Sequence, residues 1–375
     1  MQTENALLNE FLLKLSCLED VRRGAGQRHK QEFVLIIVLL STMSGYIGYR
    51  AIGDFIKKHK SELIELFKPK KDRVPSFSTV RRVLMNLNPL SFQSVYEDWL
   101  VEVRQSQKGC ESKTDSEAAR WHPIDGKAVR GANKASDSDY THLVSIFSAF
   151  DKIVVGSANV SLKSNEIPCV QTMIENSGLQ GVIFTVDALN CQKKTAEISI
   201  DTGNDYVMAV KQNQPTLYGQ IEEIIATTSP IDADYTLEKN RGREEHRAAL
   251  VYDAIGIDPL EWKGIRQVVY VNRQVVHKDG KQSVQEAFYI ESTGKTAIEL
   301  NQGIRGHWSV EAMHWVKDVV LKEDASTIHM GNAPEILSII KNWTMAIFKM
   351  NGLKSIIRAI RQVANDLKLC IKLIE

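Results

Sequence analysis

The sequence predicts an α/β fold, a mixed sheet with flanking helices and a mostly β insertion, behind an all-α N-terminal domain. Three observations predict it. Apolar residues recur at helical spacing over residues 6–99. Residues 122–226 then show strand patterns followed by alternating helix and strand patterns, which is typical of a mixed sheet covered by helices. Strand patterns separated by turn residues return over residues 232–292.

Length and composition indicate the domain organisation. A chain of 375 residues suits about two to three domains. We predict a helical domain over residues 1–115, an α/β domain over residues 116–348 with the insertion at 232–292, and a C-terminal helix over residues 349–375. Hydrophobic residues at 43% and charged residues at 25% exclude a disordered chain. A net charge of +1 still allows a nucleic-acid partner, because local basic clusters govern such binding.

The N-terminal region is predicted to be helical, with no segment that crosses a membrane. Its most apolar run, residues 33–40, is shorter than the ~20 residues that a bilayer requires, so we predict a buried core helix. Pro69 ends one helix, and Ser76 or Ser78 caps the next. Residues 1–19 lack the basic start of a secretory signal. We therefore expect a cytoplasmic protein without membrane contacts.

Each element of the α/β region follows from its local pattern. Strands are predicted at residues 122–129, 141–150, 153–160, 181–186 and 205–210. Helices are predicted at residues 166–176, 192–202 and 216–226. Within the insertion, strands are predicted at residues 235–238, 246–252, 265–272 and 287–290. Helices resume at residues 296–320 and 334–369.

The cysteines are few and widely separated. No Cys-x-x-Cys pair occurs, and the number of cysteines is odd, which argues against both a disulfide framework and a zinc-cysteine site. The pattern indicates a reduced, intracellular protein. The cysteines are Cys17, Cys110, Cys169, Cys191 and Cys370.

Two aspartates follow apolar strand patterns. Asp125 lies within or at the end of the first strand, and Asp187 follows the apolar run at 182–186. In open α/β sheets, functional sites gather at the carboxyl ends of strands. Either aspartate alone would be read as a turn or capping residue. Two carboxylates on adjacent strands repel each other, and a divalent cation is the usual way to relieve that repulsion.

A third ligand is expected from a helix beside these strand ends. His307, Glu311, His314 and Asp318 are spaced so that they share one helix face. An ordinary solvated helix face would give the same pattern. Glu311 is the first choice as the third carboxylate, Asp318 is the second, and Glu323 or Asp324 is a weaker third choice.

The chain resembles bacterial insertion-sequence transposases with an Asp-Asp-Glu, RNase H-like catalytic domain, in the group that includes the H-repeat-associated proteins. The matching stretches run in order over nearly the whole chain. They are Glu19-Asp20-Val21-Arg22, Pro75-Ser76-Phe77-Ser78-Thr79-Val80-Arg81-Arg82-Val83-Leu84, Ile124-Asp125-Gly126-Lys127-Ala128-Val129-Arg130-Gly131, Lys163-Ser164-Asn165-Glu166-Ile167, Thr185-Val186-Asp187-Ala188 with Gln192-Lys193, Lys211-Gln212-Asn213-Gln214-Pro215, Gly242-Arg243-Glu244-Glu245-His246-Arg247, and His307-Trp308-Ser309-Val310-Glu311 with His314-Trp315 and Glu323-Asp324.

The resemblance implies an active site and a reaction. Carried over by position, the family's catalytic and metal-binding trio falls on Asp125, Asp187 and Glu311, and the β insertion accounts for the long second gap. It implies a DNA transposase that hydrolyses phosphodiesters and transfers strands at the ends of its insertion sequence by a two-metal mechanism. Oxygen ligands favour Mg²⁺, with Mn²⁺ as a substitute. The expected partners are double-stranded DNA at element ends, target DNA and a second copy of the chain, in a bacterial cytoplasm at the nucleoid.

Several cations are candidates to contact DNA phosphates. In the catalytic region they are Lys211, Arg243, Arg247, Arg305 and Lys317. In the helical domain, Arg81 and Arg82 follow a capped helix start within a lysine-rich region. Trp308 and Trp315 could stack on a base, although core packing is favoured. Any one of these cations would also be explained as a solvated surface charge.

The chain departs from the family pattern at auxiliary positions. Relatives often carry a Tyr and an Arg ahead of the Glu, where this chain has Ile304 and His307, and many have an Asn where Ala312 stands. Two alternatives therefore remain: a catalytically silent, DNA-binding descendant of a transposase, and a metallohydrolase that uses His307, Glu311 and His314. The His-Glu-x-x-His pattern of zinc proteases is absent from the sequence, which counts against the second.

Overall fold

The computed structural model describes residues 6–108, 120–128, 142–160, 166–240, 243–364 and 366–375. The N-terminal part is helical, as predicted. Its helices are α1 (Ala6–Ser16), α2 (Gln31–Met43), α3 (Tyr49–Lys58), α4 (Lys60–Phe67), α5 (Phe77–Asn86) and α6 (Pro89–Lys108). The predicted core helix is confirmed, because residues 33–43 of α2 are all buried. Ser76 is the cap of α5, since its hydroxyl accepts a hydrogen bond from the Thr79 amide at 3.3 Å.

The remaining chain alternates strands and helices before it returns to helices. The strands are β1 (Trp121–Ala128), β2 (His142–Ser148), β3 (Ile153–Val160), β4 (Ile183–Val186), β5 (Asp205–Val210), β6 (Asp232–Asn240), β7 (Arg243–Asp253), β8 (Gln267–His277) and β9 (Gln282–Glu291). The helices are α7 (Glu166–Asn176), α8 (Lys193–Asp201), α9 (Pro215–Thr227), α10 (Ala297–Gly306), α11 (Trp308–Trp315), α12 (Ala333–Met350), α13 (Ile356–Val363) and α14 (Leu367–Ile374).

All described strands belong to one mixed sheet, in the order β3-β2-β1-β4-β5-β9-β8-β7-β6. β4 runs parallel to both β1 and β5, whereas β2 is antiparallel to its neighbours. The predicted β insertion, β6 to β9, joins the sheet at β5 through β9. The insertion therefore extends the α/β sheet along its edge.

Helices cover both faces of the sheet. On one face α7, α8 and α9 pack in a core with alternate residues of β1, β2, β4 and β5. On the other face α10 packs closely on β1, because Gly303 leaves room for the Trp121 ring: a Cβ at Gly303 would lie 2.0 Å from that ring. α11 follows α10 and also packs on β1. A π-helical turn, Val316–Val320, ends this segment.

α12 links the α/β region to the N-terminal helices. Its Trp343 is fully buried and lies 5.0–5.7 Å, between ring centroids, from the rings of Phe11, Phe92, Tyr96 and Trp99. The Tyr96 hydroxyl also donates a hydrogen bond to the Val154 carbonyl of β3 at 2.6 Å. The helical part and the sheet thus share one core, and the division at residues 115 and 116 stays a prediction.

The C-terminal prediction was wrong in one respect. A helix over residues 334–369 and a single C-terminal helix over residues 349–375 were expected, but α12 ends at Met350 and two short helices follow. Gly352 stands in the left-handed conformation with φ of +75°, which is typical of a helix stop. Apolar spacing continues across this turn, and so the sequence pattern alone suggested one helix. Within the described ranges, none of the helices is long and apolar enough to cross a bilayer.

Candidate functional site

The two aspartates lie side by side where β4 ends, with Asp125 inside β1 and Asp187 directly after β4. The parallel register of β1 and β4 pairs Ile124 with Val186, so the next residue of each strand is Asp125 or Asp187. Neighbouring strands are separated by about 4.8 Å, and paired residues point to the same face. That face is the one covered by α10 and α11, because Thr185 bonds His307 there, with 2.7 Å between Oγ1 and Nδ1.

Glu311 approaches the aspartates from α11. His314, one turn further along this helix, places its Nδ1 atom 3.4 Å from the Asp125 carboxylate. Partial burial raises the pKa of Glu311, and the negative charge of Asp125 raises it further. Asp125 and Glu311 are therefore close enough to repel each other. The structure brings the three predicted acids into one region.

A cleft opens beside these acids. Its volume is about 1070 Å³, and Asp187, Lys211, His307, Trp308 and Glu311 are among its lining residues. Burial lowers the pKa of His307, although Asp125 and Asp187 oppose that shift, so the ring is mainly neutral at pH 7. The cleft thus combines carboxylates, a neutral imidazole and a lysine. The cleft is large enough to admit a segment of a polar polymer.

The donor set fits a hard divalent cation. Asp125, Asp187 and Glu311 offer carboxylate oxygens, which Mg²⁺ and Mn²⁺ prefer. As the side chains stand, no three His, Cys, Asp or Glu residues of the described ranges converge closely enough to hold a metal ion. This also applies to the alternative set of His307, Glu311 and His314. Binding an ion at either set would require the side chains to move toward each other.

Sequence reasoning missed Glu166 as a site residue. It begins α7, it is only 6% exposed, and it interacts electrostatically with both Asp125 and Asp187. Asn190, just beyond Asp187, donates hydrogen bonds to both Glu166 and Asp187. The resemblance included the stretch around Glu166 but assigned it no role. Only the packing of α7 against the strand ends reveals its place.

A buried ion network stands next to the acids on the same strand. Lys127 of β1 pairs with Asp318, and its Nζ atom lies 2.9 Å from Glu323. Lys317 and Lys341 lie 3.8 and 3.5 Å from the same carboxylate. Burial alone would raise the pKa of Glu323, but these lysines hold it well below its usual range. We name these five residues the lysine network.

The lysine network corrects two sequence-based assignments. Lys317 was a candidate for DNA phosphate contact, but it is 0% exposed and donates a hydrogen bond to Ser338 at 2.6 Å. A buried, paired ammonium is unable to reach a phosphate in this conformation. Asp318 and Glu323 were reserve choices for the third ligand, and both are instead held by lysines.

The other candidate cations divide by exposure. Arg247 is buried and donates a hydrogen bond to Asn301, so its predicted DNA contact is also contradicted in this conformation. Arg305 is exposed and pairs with Glu238. The other exposed candidates are Lys211, Arg243, Arg81 and Arg82.

Two tryptophans were wrongly favoured as core residues. Trp308 and Trp315 are 54% and 55% exposed. Trp308 lines the cleft, and the guanidinium of Arg273 lies 6.0 Å from its ring. An exposed aromatic face at the rim of a cleft can stack on a nucleic-acid base.

A second, basic cleft lies in the helical part. Its volume is about 640 Å³. The charged or titratable residues that line it are Arg28, His29, Lys60, Lys70, Lys71, Asp72 and Arg73. Five of these are lysines or arginines, and dense positive charge of this kind attracts a phosphate backbone. Val129, Arg130, Gly131, Lys163, Ser164, Asn165 and Gly242, which contribute to the resemblance, lie outside the described residues.

Comparison with known proteins decides the family. Residues 107–347 match the family described as Transposase DDE domain, and residues 12–100 match the family described as DDE_Tnp_1-associated. The chain belongs to the DDE transposase family. It is therefore an enzyme of the DNA transposase class, and the predicted α/β fold with a helical N-terminal part is confirmed. Enzymes of this family generally use a divalent metal ion.

Individual relatives agree with this family. The chain is 30% identical over 356 residues to YncI of Escherichia coli O157:H7, which is named as a candidate transposase. The match covers 91% of this chain and 88% of that protein. It is 30% identical over 347 residues to YhhI of Escherichia coli K12, named as an H repeat-associated candidate transposase, with 89% of both chains covered. Among solved structures, a piggyBac transposase synaptic complex with hairpin DNA aligns over 97% of this chain and 78% of that one at 10% identity, with a TM-score of 0.46.

Proposed function

We propose that this DDE transposase cleaves and joins DNA at the ends of its own element through Asp125, Asp187 and Glu311. One observation supports the proposal. The register that pairs Ile124 with Val186 brings Asp125 beside Asp187 where β4 ends, and Glu311 of α11 lies near them. Like-charged carboxylates in this arrangement need a cation. We propose Mg²⁺, with Mn²⁺ as a substitute.

The bound cations would activate a water or a DNA 3′-hydroxyl and stabilise the leaving oxygen of the phosphodiester. The protein's own groups support this chemistry. His314 contacts the Asp125 carboxylate and restricts its orientation. Lys211 is exposed in the cleft, where its ammonium would offset phosphate charge. The bond from Thr185 fixes His307 at the base of the cleft.

We propose that DNA also contacts the helical part. The basic cleft and the exposed Arg81 and Arg82 of α5 provide positive charge away from the acids. Since two element ends must be joined in one event, we propose a homodimer as the working unit. Light scattering of the chain with and without end DNA tests this: a mass that stays monomeric on paired ends contradicts it.

The catalytic assignment is tested by conservative substitution. We expect Asp125→Asn and Asp187→Asn each to reduce cleavage of DNA that carries the element ends by at least about 10³-fold, since each removes a proposed metal ligand. Binding of the same DNA should persist, and gel electrophoresis of labelled DNA with Mg²⁺ measures both. Asp201→Asn is the matched control, because Asp201 lies on α8 away from the acids and pairs with Lys263 at the surface.

The outcomes of the cleavage assay, together with metal analysis, distinguish the transposase from the two alternative functions. Normal cleavage by either site variant would refute the assignment. A wild-type chain that binds end DNA but never nicks it in Mg²⁺ or Mn²⁺ supports the catalytically silent descendant. Tightly held zinc in the purified protein would favour the metallohydrolase.

A further inference from the structure

A fourth carboxylate reaches the strand ends from the opposite face of the sheet. Glu166 begins α7, which packs on the face away from α10 and α11. A Cβ added at Gly126 would lie 2.8 Å from the carboxyl carbon and from both oxygens of Glu166. Successive residues of a strand point to opposite faces, so Gly126 points toward α7 while Asp125 points toward α11. The absence of a side chain at Gly126 therefore leaves the space that the Glu166 carboxylate occupies beside β1.

Asn190 couples this carboxylate to Asp187. Its side-chain Nδ2 donates to an oxygen of Glu166 at 3.1 Å and to an oxygen of Asp187 at 3.0 Å. The two acceptor oxygens are thus at most about 6 Å apart, because both lie about 3 Å from the same nitrogen. Ligands of ions separated by about 3.5–4 Å lie within such a span. The backbone amide of Asn190 also donates to Asp187 at 3.1 Å, which holds that carboxylate in place.

Two neutral oxygens beside these acids are buried and have no hydrogen-bond partner among the described residues. One is Oδ1 of Asn190, in the same amide group that contacts both carboxylates, and Asn190 is 1% exposed. The other is Oγ of the fully buried Ser145, which is the cross-strand partner of Asp125 in β2 and so shares its face. Buried polar atoms without a partner are rare in native proteins. Asn190 Oδ1 therefore lies in the residue that joins Glu166 to Asp187, and Ser145 Oγ lies on the strand next to Asp125, where either oxygen could accept a hydrogen bond from water bound to a cation.

The charges at this point are unbalanced. Burial raises the pKa of Glu166, the hydrogen bond from Asn190 opposes that shift, and the charges of Asp187 and Asp125 raise the pKa further. In the described parts of the chain, no ion pair joins a lysine or arginine to Glu166, Asp125 or Asp187. Within these described parts the acids therefore lack a lysine or arginine partner, and the basic group in contact with Asp125 is His314, at 3.4 Å.

We propose that Glu166 is a fourth oxygen ligand of the divalent cation site, binding beside Asp187 from the α7 face. The proposal rests on the proposed function and adds a ligand to it. It also explains Gly126, whose missing side chain is the condition for the approach of Glu166. The chain then encloses the cation from both faces of the sheet, with Glu311 on one side and Glu166 on the other.

Direct metal binding tests the proposal without reference to cleavage. We expect Glu166→Gln in the full-length protein to weaken Mn²⁺ affinity at least tenfold, measured by titration calorimetry and by electron paramagnetic resonance of free Mn²⁺. Removal even of an outer partner of a metal ligand typically weakens affinity 10–100-fold. Because the substitution removes a repelling charge, the variant without divalent ions should melt at the same temperature as wild type or above it, and Mn²⁺ should raise its melting temperature less.

A matched control separates ligation from removal of a buried acceptor. Glu335 of α12 is also partly buried and also accepts a hydrogen bond from an asparagine Nδ2, that of Asn159, at 3.1 Å. Glu335→Gln should leave Mn²⁺ affinity unchanged. A second variant, Gly126→Ala, retains every carboxylate but displaces Glu166, and it should weaken Mn²⁺ binding like Glu166→Gln.

The outcomes distinguish this inference from the proposed function. Wild-type Mn²⁺ affinity in Glu166→Gln, with binding abolished in Asp187→Asn, overturns the role of Glu166 and leaves the three-acid site standing. Unchanged affinity in all of the site variants, or no binding by wild type, overturns both. If Glu166→Gln and Glu335→Gln weaken Mn²⁺ affinity equally, the loss is due to general packing, and the inference is overturned.

Discussion

β1 carries two clusters of charged side chains, centred on Lys127 and Asp125 two residues apart on the same face, and the charges of the two clusters are compensated differently. Around Lys127, three lysines surround Glu323 and Asp318, so the chain compensates its own charges. Around Asp125 lie three further acids, Asp187, Glu166 and Glu311. A buried charge is tolerated when it is paired and is costly when it is not. The first cluster is therefore structural, and the second fits the cation that we propose.

The comparison predicts opposite effects for removal of one carboxylate from each cluster, and the largest effect is expected in the lysine network. Glu323→Gln leaves Lys317 and Lys341 buried without their anion, which should lower the free energy of unfolding by about 3–5 kcal/mol. Asp125→Asn without divalent ions should be neutral or stabilising, because it removes repulsion. Urea denaturation of both variants measures the contrast, and equal destabilisation would remove the distinction between the clusters.

The next effect concerns the protonation of Lys317. Burial lowers its pKa to about 8, although Glu323 and Asp318 oppose that shift and Lys127 and Lys341 add to it. The unfolded chain, with an ordinary lysine pKa of about 10.4, then binds more protons than the folded state between about pH 8 and 10. The contribution of Lys317 to stability therefore rises with pH in that window.

Lys317→Met isolates this titration. Below pH 8 we expect the free energies of unfolding of the variant and the wild type to differ by a constant amount. Above pH 8 the free energy of unfolding of the wild type should rise relative to that of the variant by at most about 1.4 kcal/mol per pH unit. Denaturation of both proteins at pH 7.5 and 9.5 gives the difference. A difference that is the same at both values contradicts a depressed pKa. Lys368→Met on the exposed side of α14 is the control, since it removes an exposed lysine and leaves the lysine network intact.

The smallest effect is expected for the exposed cations, and it sharpens the contrast between exposed and buried basic residues. Lys211→Ala and Arg82→Ala should weaken DNA binding several-fold and reduce the slope of log affinity against log salt by about 0.9 for each phosphate that the variant no longer neutralises. Arg247→Ala removes a buried partner of Asn301, so it should lower stability and leave the salt slope unchanged. Fluorescence anisotropy across salt concentrations measures the slopes. A reduced slope in Arg247→Ala would restore that residue as a DNA contact.

Much of the fold was accessible from sequence. The bounds predicted for β3, α7 and β5 are those of the structure, because apolar alternation and helical spacing are strong there. The strands of the insertion were predicted too short. Residues 282–286 at the start of β9 are exposed, and a strand exposed in this way shows no hydrophobic alternation.

The candidate site could be predicted only in part. Asp125 and Asp187 were predicted because an acid that follows an apolar strand pattern stands out in the sequence. Glu311 was predicted because it shares a helix face with other candidate ligands and because the resemblance places the family's third acid there. Glu166 was missed because nothing in its local pattern distinguishes it from a first-turn helix acid. Lys317 was misassigned because the sequence does not reveal which face of its helix is buried.

Sequence alone determined most of the elements, their order and the family, and it suggested the three acids, since these depend on local periodicity and on matches along the chain. Tertiary structure decided which charges meet. The register of β1 and β4 places Asp125 beside Asp187, and the absence of a side chain at Gly126 leaves room for Glu166. Lys317, which the sequence suggested as a surface cation, is buried and belongs to the lysine network. The physical reason is that electrostatic interactions depend on distance and on exclusion of water, and both are set by residues remote in sequence.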